Sequence, residues 1–150
     1  RRVLFRSEKY LVCQRGYDKA EDYANDHNYT LYESGGSVST IALDICIRLG
    51  CSEIACIGLD LAYTGDKSHS EDTNDVHNID GEDSIIEVKS VDGGKVNASR
   101  VFVIYREWME RRAKDEDAKG KLIDATEGGA LIEGFRIERL ESVLNRFLMG

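Results

Sequence analysis

The segment from Ser34 to Gly58, SGGSVSTIALDICIRLGCSEIACIG, decides the fold. After a glycine turn, its apolar residues recur at helical spacing and predict one continuous apolar stripe along a helix. The stripe consists of Val38, Ile41, Ala42, Ile45, Cys46 and Leu49. Gly50 is the expected stop of the helix, and the apolar run from Glu53 to Gly58 predicts a strand buried on both faces. Strand, glycine loop, helix and buried strand form a βαβ unit, which implies a parallel sheet.

The rest of the chain predicts further elements around this unit. Short apolar or alternating runs predict strands at Lys9–Gln14, Tyr29–Glu33, Ser84–Val91 and Lys121–Asp124, with Lys95–Ser99 pairing back as a hairpin. Helical patterns predict helices at Tyr17–His27 and Val101–Ala118, and a closing helix on Ile137, Leu140, Val143, Leu144 and Phe147. One α/β domain is the simplest arrangement of these elements.

In the helix predicted at Val101–Ala118, the sequence separates an inner from an outer set of side chains. The residues expected to face the core are Val101, Ile104, Tyr105, Trp108 and Met109. The charged run from Arg111 to Lys121 is expected to form a solvated helix face and loop.

Composition narrows the class of protein. The chain has 150 residues, about the size of one domain. Lys and Arg total 20 against 28 Asp and Glu, and this net charge of −8 argues against a protein that coats a nucleic-acid duplex. No apolar run approaches the length of a membrane span. The negative net charge does not exclude a phosphate-binding site, because a few backbone N–H groups are enough to bind a phosphate locally.

The cysteines and the first residues suggest a cytoplasmic fragment. Cys13, Cys46, Cys51 and Cys56 show neither a CxxC pair nor zinc-ligand spacing. We interpret them as small apolar side chains in a reducing cytoplasm, with a disulfide or metal role as the alternative.

The start of the chain, residues 1–7, has no Met and is too short for a signal peptide. We interpret it as a non-native fragment edge, with residues 8–150 as the C-terminal part of a single domain.

The first candidate for function is the loop before the predicted helix, which consists of Ser34, Gly35, Gly36 and Ser37. Glycines let the backbone approach a ligand, and a helix start offers free N–H groups and a positive dipole end to a phosphate. Ser37, Ser39 and Thr40 add hydroxyl donors. The loop is neither a Walker A loop nor a GxGxxG motif. The alternative is a tight turn with a serine N-cap.

Two more candidates follow predicted strands, where open α/β sheets bind ligands. Asp60 is suited to accept a hydrogen bond from a ribose or sugar hydroxyl, or to hold a metal. Tyr63 is suited to stack on a ring or to donate to a phosphate. After the strand at Lys121–Asp124, Thr126 and Glu127 are candidate ligand contacts. The alternatives are a capped turn at Asp60, a packed Tyr63 and a structural turn at Thr126 and Glu127.

The polar loop from Asp60 to Asp83 carries the candidate general base. The candidates are His69 and His77, because a histidine titrates near neutral pH and can act as a general base, although an exposed loop histidine is often idle. The acidic residues Asp66, Asp72 and Asp75 lack EF-hand spacing, so no calcium site is expected.

A family resemblance covers most of the chain, from about Tyr29 to Val143. The stretch GGSVSTIALDICIRLGCSEIACIGLDLAYTGDKSH, starting at Gly35, resembles the core of motility accessory factor (Maf) glycosyltransferase-like domains. That family, which includes 6-hydroxymethyl-dihydropterin pyrophosphokinase (MptE-like) proteins, has a GGSV turn, a helix ending in LGC, an apolar strand, GxDLA(F/Y)T and a histidine. Later segments that match the family are the hairpin at Val88–Ser99, the Y…W-x-E helix at Tyr105–Glu110 and the ATEGGA segment within Ile123–Gly134.

The segment is also similar, more distantly, to bacterial CMP-sialic-acid sialyltransferases. The resemblance implies a Rossmann-like, sialyltransferase-like fold with a mostly parallel sheet flanked by helices. It implies phosphate contacts at Ser34, Gly35, Gly36 and Ser37, and nucleotide or sugar contacts at Asp60 and Tyr63. Thr126 is taken as a further nucleotide contact, and Asp60 is also taken as a catalytic residue. His69 matches the family's catalytic base, with His77 as the alternative. The family's upstream G-x-G-P-S segment is missing, and proline is absent altogether, so the domain is expected to be N-terminally truncated.

The leading hypothesis is a Maf-type glycosyltransferase that moves a sialic-acid-like nonulosonic sugar from a CMP donor to Ser or Thr of flagellin in the cytoplasm. Its expected partners are the nucleotide-sugar and flagellin, with no nucleic acid, no membrane span and no bound metal. One alternative is ATP-dependent pyrophosphoryl transfer to a pterin alcohol, with Mg²⁺ held by Asp60 and Asp72. The other is a non-catalytic module that binds a nucleotide or docks flagellin.

Overall fold

The computed structural model describes residues 11–63 and 85–149. The helices in these ranges are α1 (Asp18–His27), α2 (Val38–Arg48), α3 (Arg100–Arg112) and α4 (Leu140–Met149). The strands are β1 (Cys13–Gln14), β2 (Leu31–Tyr32), β3 (Ile54–Cys56), β4 (Ile86–Lys89), β5 (Lys95–Ala98), β6 (Leu122–Asp124) and β7 (Arg136–Ile137). The predicted mixed α/β class is confirmed.

The predicted βαβ unit does not form a single sheet, because β2 before α2 and β3 after α2 pair with different strands. β1 pairs in parallel with β2, and β3 and β7 pair in parallel with β6, which gives a sheet in the order β3-β6-β7. β4 and β5 form the predicted antiparallel hairpin, with Val88 opposite Val96. The parallel arrangement places the carboxyl ends of β3 and β6 side by side, since Cys56 lies opposite Asp124.

The predicted inner face of α2 is wrong. Val38 and Leu49, the two ends of the apolar stripe, are 86% and 71% exposed. The buried residues of the helix are Thr40, Leu43, Asp44 and Ile47. Leu43 and Ile47 of this face belong to the main hydrophobic core. Arg112 of α3 donates to Asp44 at 2.9 Å, so the carboxylate is buried with a charged partner.

Two expectations about α3 are wrong. Arg112 belongs to the run that was expected to be solvated, yet it is buried beside Asp44. Val101 and Ile104 were expected to face the core and are 43% and 48% exposed. Met109 is fully buried, and Tyr105 and Trp108 pack against the main core, as predicted.

Two strand predictions also need correction. β3 is only partly buried, and Ile57 after it is 60% exposed, so this run is not covered on both faces. Ile137 was assigned to the closing helix but forms β7, which pairs with β6; Arg136 in the same strand bonds to Glu53. These pairings join residues far apart in sequence, which a local pattern does not show.

No helix in residues 11–63 and 85–149 is long and apolar enough to cross a membrane.

Candidate functional site

The loop before α2 is held by its own hydroxyl groups. Thr40 Oγ1 accepts from the N–H groups of Gly35 at 2.9 Å and Ser37 at 3.3 Å. Ser34 Oγ accepts from the Gly36 N–H, and Ser37 Oγ accepts from the Ser39 N–H, each at 3.1 Å. Ser37 and Thr40 thus form a capping box, which stabilises a helix start. A phosphate at this loop has to replace serine hydroxyls as the acceptor of these amides.

Packing also explains the first glycine of this loop. A Cβ at Gly35 would lie 2.6 Å from Trp108 Cγ and 2.9 Å from Thr40 Cγ2, so only glycine fits against α3 here. Gly36 has a φ of +96°, a left-handed conformation that favours glycine. Both glycines are therefore required by the turn itself, whether or not a ligand binds there.

The loops after β3 and β6 are joined by direct hydrogen bonds. The Leu59 N–H donates to Thr126 Oγ1 at 3.0 Å, and the Ala130 N–H donates to the Asp60 carbonyl at 2.8 Å. Gly129, with φ +82°, passes so close to Asp60 that a Cβ there would lie 2.6 Å from the Asp60 Cα. The structure thus brings two sequence candidates, Asp60 and Thr126, into one crevice at the carboxyl ends of adjacent parallel strands.

Asp124 starts the segment from Asp124 to Ala130 that the sequence singled out, although it was not itself predicted as a ligand contact. It ends β6 and is 2% exposed; its Oδ1 accepts from the Thr126 N–H at 3.0 Å, while its Oδ2 is buried without a hydrogen-bond partner. Burial, and to a lesser degree the negative charge of Asp60, raise the pKa of the Asp124 carboxyl. The signal was present in the sequence as an acidic residue closing the apolar run KLID at Lys121–Asp124.

Tyr63 is fixed at the far end of the same segment. Its ring packs against Phe102 with centroids 5.7 Å apart, and its N–H donates to the Asn97 carbonyl at 2.8 Å. It is partly buried, as the packed alternative expects, and still offers part of its surface. His69, His77 and Asp72 lie outside the described residues.

An apolar cleft of about 270 Å³ lies between α2 and β3. Ser39, Ala42 and Cys46 line it from α2, and Ile57 and Leu59 line it from the end of β3. The first turn of α2 and the segment leading to Asp60 therefore border one space. A larger cavity, about 450 Å³, lies by Trp108 and Arg112 and is lined mainly by charged side chains, several of them paired with each other.

Replacing Thr126 by valine tests the link between the two loops. Valine keeps the shape but removes the acceptor of the Leu59 N–H, so we expect a loss of about 1–3 kcal/mol in the free energy of unfolding. Thr126→Ser keeps the hydroxyl and serves as the matched control. The measurement is urea unfolding of both variants. Equal stability of the valine and serine variants would show that this hydrogen bond does not hold the crevice together.

Within residues 11–63 and 85–149, no group of three or more His, Cys, Asp or Glu side chains is placed to hold a metal ion. No family model, no curated protein and no solved structure matches this chain. The resemblance to Maf-type domains therefore rests on the sequence motifs alone.

Proposed function

We propose that this chain is a nucleotide-dependent transferase domain of the Maf glycosyltransferase type, with a Rossmann-like, sialyltransferase-like arrangement. It takes a nonulosonic sugar from a CMP donor and transfers it to a serine or threonine hydroxyl of flagellin in the cytoplasm. The observation that carries the proposal is the shared crevice: the first turn of α2 and the end of β3 line one cleft, and Thr126 holds Leu59 next to Asp60. Open α/β sheets bind ligands at this edge.

In this proposal the CMP phosphate lies at the start of α2. The positive end of the helix dipole favours an anion there, and the amides of Gly36 and Ser39 exchange their serine acceptors for phosphate oxygens. Thr40 keeps its position, because its hydroxyl also donates to the Ser37 carbonyl at 2.6 Å. The loop then keeps its shape while the ligand binds.

Asp60 and Tyr63 contact the nucleotide or the sugar. Asp60 is exposed and accepts from a ribose or sugar hydroxyl, and Thr126 holds the backbone of the preceding residue, Leu59. His69 takes the proton of the acceptor hydroxyl as its oxygen bonds to the anomeric carbon. The bond from that carbon to the phosphate oxygen breaks, and CMP leaves with the electron pair.

One observation favours the second candidate, ATP-dependent pyrophosphoryl transfer to a pterin alcohol. Asp124, at the end of β6, has a buried, unpartnered carboxylate oxygen, and the Ala130 N–H in the loop after β6 donates to the Asp60 carbonyl. A pair of carboxylates fits Mg²⁺, which binds one or two of them together with substrate phosphates. In this case Asp60 and Asp124 would hold the ion that neutralises the phosphates.

Calorimetric titration of the full chain with CMP, and separately with ATP and Mg²⁺, distinguishes the reactions. We expect saturable binding of CMP in the presence of a chelator, because the glycosyl-transfer site holds the phosphate with backbone amides. If ATP with Mg²⁺ binds and CMP does not, the glycosyltransferase proposal is wrong and the pyrophosphokinase takes its place. Binding of neither nucleotide would contradict both and leave a flagellin-docking module.

A further inference from the structure

The end of α2 brings two cysteines together. The helix closes with the Cys51 N–H donating to the Cys46 carbonyl at 3.2 Å and the Gly50 N–H donating to the Ile47 carbonyl at 2.9 Å. Gly50 has φ +78°. This pair of bonds around a left-handed glycine is the Schellman motif, in which the side chains at the two ends of the six-residue turn usually meet. Here those side chains are the thiols of Cys46 and Cys51.

We propose that Cys46 and Cys51 are an oxidation site, which closes a reversible disulfide across the C-terminal cap of α2. Both residues are partly exposed, so a small oxidant can reach them. A disulfide needs Cα atoms about 4.4–6.8 Å apart, and the backbone bond between the two residues draws their Cα atoms together. The proposal does not depend on the nucleotide site.

The environment of the thiols favours this pair over Cys46 with Cys56. Burial, and then the negative charge of Asp124, raise the pKa of the Cys56 thiol to about 11, so it stays protonated at neutral pH. Burial and the adjacent Cys51 also raise the pKa of Cys46. We therefore expect an oxidant to react first at Cys51.

The oxidant class is a low-molecular-weight disulfide, and the two exchange steps balance. The Cys51 thiolate attacks the reagent and releases one thiolate, leaving a mixed disulfide on Cys51. The Cys46 thiolate then attacks Cys51 Sγ and displaces the second reagent thiolate. The two protons lost from the protein end on the two released thiols.

Oxidised glutathione, followed by alkylation and peptide mapping of the full chain, tests the proposal. Trypsin cleaves after Arg48 and a glutamyl endopeptidase after Glu53, so Cys46, Cys51 and Cys56 fall on separate peptides. We expect a Cys46–Cys51 link in a monomer that has lost two hydrogens, and its disappearance with dithiothreitol. The link is expected to persist in Cys13→Ser, since Cys13 lies in β1, and to be absent in Cys51→Ser.

Three results would overturn the proposal. The first is a glutathione adduct that remains on Cys51 without closing the ring. The second is a link from Cys46 to Cys56 or between two chains. The third is four free thiols after incubation under conditions that oxidise a reference dithiol.

Discussion

Asp44→Ala is expected to lower the free energy of unfolding by about 3–5 kcal/mol, because it leaves the Arg112 guanidinium buried without its partner in α2. Asp44 is fully buried and accepts from the Glu33 N–H at 2.8 Å, Arg48 Nε at 2.7 Å and Arg112 Nε at 2.9 Å. The carboxylate therefore ties α2 to α3 and to the segment after β2. Urea unfolding measures the loss.

Asp117→Ala is the matched control, because it removes another carboxylate from the same arginine. Asp117 makes two bonds to Arg112, at 2.6 and 2.9 Å, but its side chain is 55% exposed. Water screens such a pair, so we expect a loss of about 1 kcal/mol or less. Equal losses in the two variants would show that burial of Asp44 does not determine the strength of this contact.

Acid is expected to weaken the same contact. Burial raises the pKa of Asp44, but hydrogen bonds from Glu33, Arg48 and Arg112 outweigh burial and hold the pKa below its ordinary value. The stabilisation is thus fully present above the ordinary carboxyl pKa and is lost as pH falls through the folded-state pKa. The stability difference between wild type and Asp44→Ala is expected to narrow over that range.

Gly129→Ala is expected to cost about 2–4 kcal/mol of stability and to distort the crevice, through left-handed strain and a backbone clash. The new Cβ would meet the carbonyl oxygen and the Cα of Asp60, and neither is the end of a flexible side chain. One loop must therefore move away from the other. The Ala130 N–H bond to the Asp60 carbonyl is the first contact to break.

The neighbouring glycine provides the control for this substitution. A Cβ at Gly128 meets nothing within 4 Å, so Gly128→Ala is expected to change stability by about 0.5 kcal/mol or less. Thermal melts and nucleotide titrations of the two variants are compared. Equal melting temperatures and equal affinities would mean that the approach of Gly129 to Asp60 does not shape the site.

Local pattern predicted several elements, but not all of their bounds or orientations. The helix predicted at Val101–Ala118, for example, runs from Arg100 to Arg112. The glycine turn, α2 with its stop at Gly50, and the hairpin of β4 and β5 follow from spacing and turn residues close in sequence. The inner face of α2 does not, because it depends on contacts distant in sequence: Leu43 and Ile47 pack into the main core, and Asp44 meets Arg112, 68 positions away. A local pattern predicts that a polar residue is exposed, because it does not show the distant partner with which the residue is buried.

The candidate site shows the same limit. Asp60 and Thr126 were each singled out because they follow strands, and parallel pairing of β3 with β6 brings them together. Asp124 was not itself predicted as a ligand contact because its burial comes from the sheet around it, while the sequence shows only an acid at the end of an apolar run. The hydroxyl contacts that already occupy the Gly35 and Gly36 amides likewise depend on how Ser34 and Thr40 fold back.

The most direct test of the nucleotide crevice is the affinity of CMP for the full chain and for Asp60→Ala, measured by calorimetry. Asp60 is exposed and contributes its carbonyl, not its side chain, to the contact with Ala130, so the variant is expected to keep the fold. Loss of a charged acceptor for a ligand hydroxyl costs about 1.5–3 kcal/mol. We predict that CMP affinity falls by about tenfold to a hundredfold with an unchanged melting temperature. CMP binding of equal strength in the two proteins would contradict the placement of the site.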